Sequence, residues 1–150
     1  MKKVYEILRI KQVAVEMELD NEMVIGSPEE AAKVAASFIC DEDREIFLVL
    51  CLNTKKKVVA IHRCHVGSLN ASIVHPREVF KAAIMNNAAS IIAAHQHPSG
   101  DVTPSLEDMK VTMRLDEAGK ILGIELLDHV IVNATGEYSS IKDIISKTVI

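Results

Sequence analysis

The residues best suited to chemistry lie within fourteen positions, from His95 to Asp108. Histidines at positions i and i+2 of a strand project to the same side, so His95 and His97 can reach one ion. The loop after His97 contains two prolines and a glycine, which can turn the chain back and bring Asp108 to the histidines. Two imidazole nitrogens and one carboxylate oxygen suit Zn²⁺, and three protein ligands leave the fourth tetrahedral position to water. We therefore predict a catalytic zinc site with these three residues as ligands.

The same stretch also has a purely structural explanation. Ser105 and Asp108 have the spacing of a helix capping box, in which each side chain bonds the backbone N–H of the other residue. Apolar residues follow at helical spacing, as expected of a helix that begins there. The two explanations are compatible, because an N3 carboxylate points out beside the first turn. We therefore predict a helix that starts at Ser105 and a metal ligand at Asp108.

This run resembles the signature of JAMM (JAB/MPN) metalloproteases, in which an upstream glutamate is followed by His-x-His and Ser-x-x-Asp. The chain is similar to the RadC branch of that superfamily from about Ser27 to Ile145. The segments that carry this similarity are Gly67–Ser72, His75–Ala83, Ala94–Asp101 and Leu126–His129. The resemblance implies an α/β three-layer sandwich, with a mixed central sheet flanked by helices, related to that of cytidine deaminases. It also implies a zinc-dependent hydrolase that cleaves a peptide or isopeptide bond with a metal-activated water.

The resemblance further implies which residues take part in catalysis. Glu45 begins the apolar segment Glu45–Leu50, where JAMM proteins carry their catalytic glutamate. There it would act as general base and then as general acid, without binding the metal. Without the resemblance, Glu45 would be interpreted as a charged residue at a strand edge. The hydroxyl of Ser105 would donate to the oxyanion of the tetrahedral intermediate.

Other polar residues give weaker signals. Three residues of one polar loop are weak candidates for the substrate cleft, because their segment is shared with RadC-like proteins: Ser68, Asn70 and Ser72. On the next strand upstream, His62 and Cys64 share a face whereas His65 points away, an arrangement that makes a poor tetrahedral site. His129 follows an aspartate within a predicted strand, and we interpret it as a hydrogen-bonded core residue.

The rest of the chain must position these residues, and hydrophobic periodicity with helix-capping signals predicts the elements that do so. Residues 1–26 are predicted as a strand-rich N-terminal extension and residues 27–150 as the JAB/MPN (RadC-like) domain. The predicted elements, in order, are a strand within 4–19, a helix from Pro28 to about Cys40, strands at 45–52 and 57–66, a helix from Pro76 to about Ala88, a strand at 89–94, a helix from Ser105 that stops at Gly119, and strands at 125–132 and 137–140.

Composition limits the class of protein. A chain of 150 residues that is 49% hydrophobic and 25% charged fits a single globular domain. The three cysteines form no Cys-x-x-Cys pair, which indicates free thiols in a reducing compartment. No apolar stretch is long enough to span a membrane. We therefore expect a cytoplasmic protein that acts on a peptide or protein conjugate.

Two alternative functions require different residues. A zinc nucleobase deaminase needs His-x-Glu followed by Pro-Cys-x-x-Cys, and here the residue two after His95 is another histidine. That alternative is excluded. A non-enzymatic or DNA-repair-associated role stays open, since RadC-like proteins have been called DNA-repair proteins. Longer members carry an N-terminal segment that resembles a helix-hairpin-helix DNA-binding module, and we expect no room for one in this chain.

We predict that this chain alone binds duplex DNA weakly and without sequence preference. Its net charge of −4 provides no broad cationic surface, and Lys55-Lys56-Lys57, predicted in a hairpin turn, is its only basic run. A fluorescence-anisotropy titration at physiological salt should give a Kd of about 1 μM or weaker, the range of non-specific binding. Tighter, sequence-dependent binding would favour the DNA-repair alternative.

Overall fold

The computed structural model describes residues 1–8, 12, 23–67 and 74–148. Its elements are α1 (Pro28–Ile39), β1 (Ile46–Leu52), β2 (Val58–Val66), α2 (Pro76–Met85), β3 (Ser90–Gln96), α3 (Leu106–Leu122), β4 (Glu125–Val132), β5 (Tyr138–Ser140) and α4 (Ile141–Thr148). Residues 1–8 and 12 belong to no helix or strand. The remainder of the strand predicted within 4–19 lies outside the described residues.

The strands form one mixed sheet in the order β2-β1-β3-β4-β5. The β3–β4 pair is parallel and the other three pairs are antiparallel. Both faces of this sheet are covered. On one face, alternate residues of β1 pack with the apolar faces of α2 and α3. On the other face, the intervening residues of β1 pack with α1. The predicted three-layer α/β sandwich is confirmed.

The first helix begins as its sequence predicts. Ser27 caps it, because the Ser27 hydroxyl oxygen accepts a hydrogen bond of 3.2 Å from the backbone N–H of Glu30. The Glu30 carboxylate in turn accepts from the backbone N–H of Gly26 at 2.6 Å. Pro28 occupies the first turn, where its missing N–H costs nothing. The helix ends at Ile39, with Cys40 as its C-cap, one residue before the predicted end.

Two helix ends differ from their predictions. Helix α2 ends at Met85, before the predicted Ala88, and Asn87 adopts the left-handed backbone conformation that asparagine tolerates, with φ of 50°. The prediction that α3 stops at Gly119 is wrong, because the helix continues to Leu122. Its C-cap is Gly123, whose φ of 72° is left-handed.

Gly119 therefore has a packing role within α3. A Cβ at this position would lie 2.4 Å from the carbonyl oxygen of Ile124 and 3.4 Å from the ring of Phe80. The absent side chain lets the helix approach the start of β4 and the α2 layer closely. Gly119 was predicted to end the helix because the spacing of residues in the sequence gives no information about this close contact between elements.

Helix α4 was not predicted from the sequence. This helix follows β5 directly, and the backbone N–H of Asp143 donates to the hydroxyl of Ser140 at 3.2 Å. Ile141 is fully buried, whereas the rest of the helix is half-buried or exposed. Among the residues that the structure describes, no helix has both the length and the apolar character needed to cross a membrane.

We predict that Gly119→Ala lowers the free energy of unfolding by about 1–3 kcal/mol, as expected of overpacking. Helix propensity alone would predict a higher free energy of unfolding for this variant, because alanine is favoured over glycine by about 1 kcal/mol in a helix interior. Urea denaturation followed by circular dichroism measures the difference. The exposed Glu117 on the same helix provides a control, since Glu117→Ala should change stability by no more than about 0.5 kcal/mol.

Candidate metal centre

The end of β3 places both histidines at one site. His95 is the next-to-last residue of the strand and is fully buried, and His97 follows immediately after the strand. In the sheet, His95 lies opposite Phe47 of β1, and their rings stack with centroids 6.3 Å apart. The His97 side chain is 20% exposed. The Nε2 atoms of the two histidines lie 3.2 Å apart, as required of two ligands to one ion.

The first turn of α3 brings a carboxylate to the same place. The predicted capping box is present: the backbone N–H of Ser105 donates to Oδ2 of Asp108 at 2.8 Å, and the N–H of Asp108 donates to the Ser105 hydroxyl at 3.1 Å. The same carboxylate lies 3.1 Å from Nε2 of His95 through Oδ1 and 3.2 Å from Nε2 of His97 through Oδ2. Asp108 therefore caps the helix and faces both imidazoles.

The three groups fit a metal ion. The two Nε2 atoms lie 3.2 Å apart, and each lies 3.1–3.2 Å from one of the two oxygens of the Asp108 carboxylate. Tetrahedral zinc with bonds of about 2.0–2.1 Å to nitrogen and oxygen separates its ligand atoms by about 3.3–3.4 Å. Two imidazoles and one carboxylate are also the donor types that Zn²⁺ and neighbouring first-row ions accept. This cluster can therefore hold a metal ion.

Glu45 is the fourth member of the cluster and lies farther from its centre. Its Oε1 atom is 4.0 Å from Nε2 of both His95 and His97, and its side chain is 15% exposed. One atom from each of the four residues lies within 4.8 Å of the others. The position predicted for the catalytic glutamate thus lies beside the three predicted ligands.

Gln96 holds the backbone on both sides of Glu45. Its side-chain oxygen accepts from the backbone N–H of Ile46 at 2.9 Å, and its amide group donates to the carbonyl of Arg44 at 2.5 Å. The carbonyl of Glu45 itself accepts from the N–H of Gly67 at 2.7 Å. Gln96 was not predicted from the sequence, where its one signal is its position between the two histidines predicted as ligands.

The electrostatic environment favours an ionised carboxylate at Asp108. Burial raises its pKa, but the contacts of the carboxylate with the His95 imidazole and with Ser105 outweigh this effect. The pKa of Asp108 therefore lies well below its ordinary value. Burial lowers the pKa of the His129 imidazole well below its ordinary value, and the neighbouring His95 adds to this effect.

A second layer of buried polar groups lies behind His95. Nδ1 of His95 is 2.8 Å from Nε2 of His129, and Nδ1 of His129 is 2.6 Å from the hydroxyl of Thr112. His129 is thus a hydrogen-bonded core residue, as predicted, but its partner is a predicted metal ligand. Thr112 was missed by the sequence analysis, although its position four residues after Asp108 places both on one helical face.

The structure does not bring the histidines of β2 to this centre. His62, Cys64 and His65 lie on β2, and they belong to no group of potential ligands found among residues 23–67 and 74–148. Cys64 instead packs against the core between the sheet and α2. The three weak candidates for the substrate cleft, Ser68, Asn70 and Ser72, lie outside the described residues.

A three-layer α/β sandwich with this His-His-Asp-Glu cluster defines a domain of the JAB type. Residues 25–146 match the family model described as RadC-like JAB domain, and the chain belongs to that family. A UPF0758 protein of Shouchella clausii is 53% identical over 120 residues, which are 80% of this chain and 52% of that protein. A UPF0758 protein of Methanosarcina barkeri is 44% identical over 140 residues, 93% of this chain and 59% of that protein. The chain thus spans about half the length of the curated relatives it matches.

We predict that His97→Ala removes stoichiometric metal while the domain stays folded. The variant loses one ligand of three, whereas the apolar core on both faces of the sheet does not depend on the metal. Elemental analysis of zinc-loaded, desalted protein measures the metal, and circular dichroism measures the fold. His62→Ala, a change outside the cluster, should keep about one metal ion per chain. Full zinc occupancy in His97→Ala would show that the ligand assignment is wrong.

Proposed function

We propose that this domain is a zinc-dependent hydrolase of the JAMM type that cleaves a peptide or isopeptide bond. The observation that carries the proposal is the position of Glu45. Its carboxylate lies 4.0 Å from both ligand nitrogens, whereas the three predicted ligands lie 3.1–3.2 Å from one another. A carboxylate just outside a group of three metal ligands is suited to proton transfer, and membership of the RadC-like JAB family supports this use.

His95, His97 and Asp108 would hold the ion. When bound, Zn²⁺ makes a water molecule more acidic and polarises a carbonyl oxygen. Glu45 accepts a proton from the attacking water as its oxygen bonds to the carbonyl carbon. The same carboxyl group then delivers that proton to the leaving nitrogen as the C–N bond breaks. Glu45 is suited to both steps because its side chain is largely shielded from solvent and still accessible.

Two further residues support this chemistry. Gln96 bonds the backbone at Arg44 and Ile46, and thereby restricts where the Glu45 carboxylate can lie. The Ser105 hydroxyl accepts from the N–H of Asp108 through its oxygen, so its hydrogen can donate to the oxyanion of a tetrahedral intermediate. Each of these contacts would hold a group in place before the substrate arrives.

The state of the cysteines supports a reducing compartment, and we place the activity in the cytoplasm on this ground. Cys40, Cys51 and Cys64 are all free. Burial raises the pKa of the Cys51 and Cys64 thiols to about 11, so both are protonated and unreactive at neutral pH. Free thiols of this kind are typical of intracellular proteins.

The substrate can be sought directly. The zinc-loaded protein is incubated with a library of linear peptides and lysine-linked isopeptides, and mass spectrometry detects the cleaved products. We expect cleavage of at least one class, abolished by a chelator and restored by added zinc. If zinc-loaded protein cleaves neither class, the proposed hydrolase activity is wrong and a non-enzymatic role is favoured.

We predict that Glu45→Gln separates metal binding from catalysis. The substitution nearly preserves side-chain volume and removes no predicted ligand, so zinc content and melting temperature should stay at their wild-type values. Turnover of the substrate found above should fall by about two to four orders of magnitude, the contribution of a positioned acid–base group. Glu42→Gln, an exposed change three residues upstream, is the matched control and should leave turnover unchanged. Loss of zinc in Glu45→Gln would make Glu45 a ligand, and undiminished turnover would exclude it as the base.

A further inference from the structure

The hydrogen-bond chain behind His95 begins at a group that can only accept. The hydroxyl of Thr112 lies 2.8 Å from the backbone carbonyl oxygen of Asp108, one helical turn earlier. Two oxygens at this distance attract only when a hydrogen lies between them, and a carbonyl has none to offer. Thr112 must therefore donate to Asp108. Its hydroxyl oxygen is left as the acceptor for its other neighbour, His129, at 2.6 Å.

The direction of the remaining bonds follows from this first one. Because Thr112 accepts, Nδ1 of His129 carries the hydrogen and donates it. A neutral imidazole has one N–H, so Nε2 of His129 is an acceptor. The atom 2.8 Å from it, Nδ1 of His95, must then be the donor. With its hydrogen on Nδ1, neutral His95 presents the lone pair of Nε2 to His97 and Asp108.

We propose that Thr112 and His129 are positioning residues that hold His95 in the Nδ1–H tautomer required of a metal ligand. The proposal rests on the metal centre of the proposed function but not on any hydrolytic activity. His129 is fully buried, and its ring packs edge-on against Phe47 with centroids 5.4 Å apart. Both ring nitrogens of His129 are hydrogen-bonded, one to Thr112 and one to His95, and the ring has no access to solvent. Loss of the Thr112 hydroxyl therefore changes the hydrogen bond between His129 and His95.

His97, the second histidine of the cluster, is hydrogen-bonded directly to a backbone carbonyl. Nδ1 of His97 lies 2.7 Å from the carbonyl oxygen of Asp101, which can only accept. Neutral His97 therefore also carries its hydrogen on Nδ1 and presents Nε2. Asp108 has two functions in this arrangement, because its carboxylate faces both imidazoles while its carbonyl determines the tautomer of His95 through Thr112.

The test compares Thr112→Val with Thr112→Ser. Valine preserves the shape of threonine and removes the hydroxyl, whereas serine keeps the hydroxyl and removes the methyl group. In Thr112→Val, the Nδ1–H group of His129 has no acceptor. The tautomer of His129 with its hydrogen on Nε2 is then favoured, because this hydrogen can be donated to Nδ1 of His95. That places the hydrogen of His95 on Nε2, facing Asp108. Zinc binding must then reverse both tautomers and leave a buried N–H of His129 without an acceptor.

We expect the zinc affinity of Thr112→Val, measured by competition with a chromophoric chelator, to fall about 10- to 100-fold, the usual effect of losing such a partner. Thr112→Ser should bind within about threefold of wild type, well inside the scatter of such effects.

The second measurement is ¹⁵N NMR of the His95 ring in metal-free protein at a pH where the ring is neutral. Wild type and Thr112→Ser should show Nδ1–H, and Thr112→Val should show Nε2–H. Thermal melting monitors the fold, and Thr112→Ala provides a second variant without the hydroxyl if Thr112→Val does not fold.

Equal zinc affinity in Thr112→Val and wild type would overturn the inference, as would an Nε2–H tautomer of His95 in the metal-free wild type. These outcomes differ from failure of the proposed function. A wild type that binds zinc and cleaves no peptide contradicts the hydrolase and leaves this inference intact. A wild type that binds no zinc contradicts the metal centre, and the NMR tautomer of His95 alone then decides whether Thr112 and His129 control it.

Discussion

Three electron-rich groups converge in this domain, and their mutual repulsion is the constraint on which the rest of the structure depends. Nε2 of His95, Nε2 of His97 and the Asp108 carboxylate lie 3.1–3.2 Å apart. Lone pairs at this distance repel unless a cation lies among them, and a metal ion would convert the repulsion into attraction. The fold brings the three groups together, since a site of this kind rarely exists in an unfolded chain.

Several elements share this task, and each uses ordinary hydrogen-bond chemistry. The sheet places His95 opposite Phe47 in its interior, where the backbone ladder determines its position. The capping box orients the Asp108 carboxylate by the same bonds that begin α3. Gln96 bonds the backbone beside Glu45, and so connects the end of β3 to the start of β1. The candidate metal centre therefore lies at the junction of three elements, and no single loop contains it.

Packing around this junction explains why the centre has little freedom to relax. Every residue of β1 and of β3 is buried, and apolar layers cover both faces of the sheet. Gly119 lets α3 lie close against the start of β4, which brings the helix that carries Asp108 and Thr112 against the strand that carries His129. A shift of α3 would therefore move two groups at once, the predicted ligand Asp108 and Thr112, which is bonded to His95 through His129. Stability of the fold and geometry of the site are coupled through this helix.

Sequence alone determined the features that depend on local spacing. The His-x-His pair, the Ser105–Asp108 capping box, the Ser27 cap of α1 and the bounds of β4 all follow from residues a few positions apart, and the structure contains each of them. The resemblance to RadC-like proteins added Glu45, whose position beside the histidines depends on contacts across the sheet. Tertiary structure alone revealed that Gln96 bonds the backbone beside Glu45, 50 residues away from Ile46, and that His129 bonds His95 across 34 residues. Periodicity and capping describe how a segment folds upon itself, whereas these partners meet only because β1, β3, β4 and α3 pack side by side. For the same reason Gly119 was mistaken for a stop, since its close neighbour is a carbonyl beyond the end of its own helix.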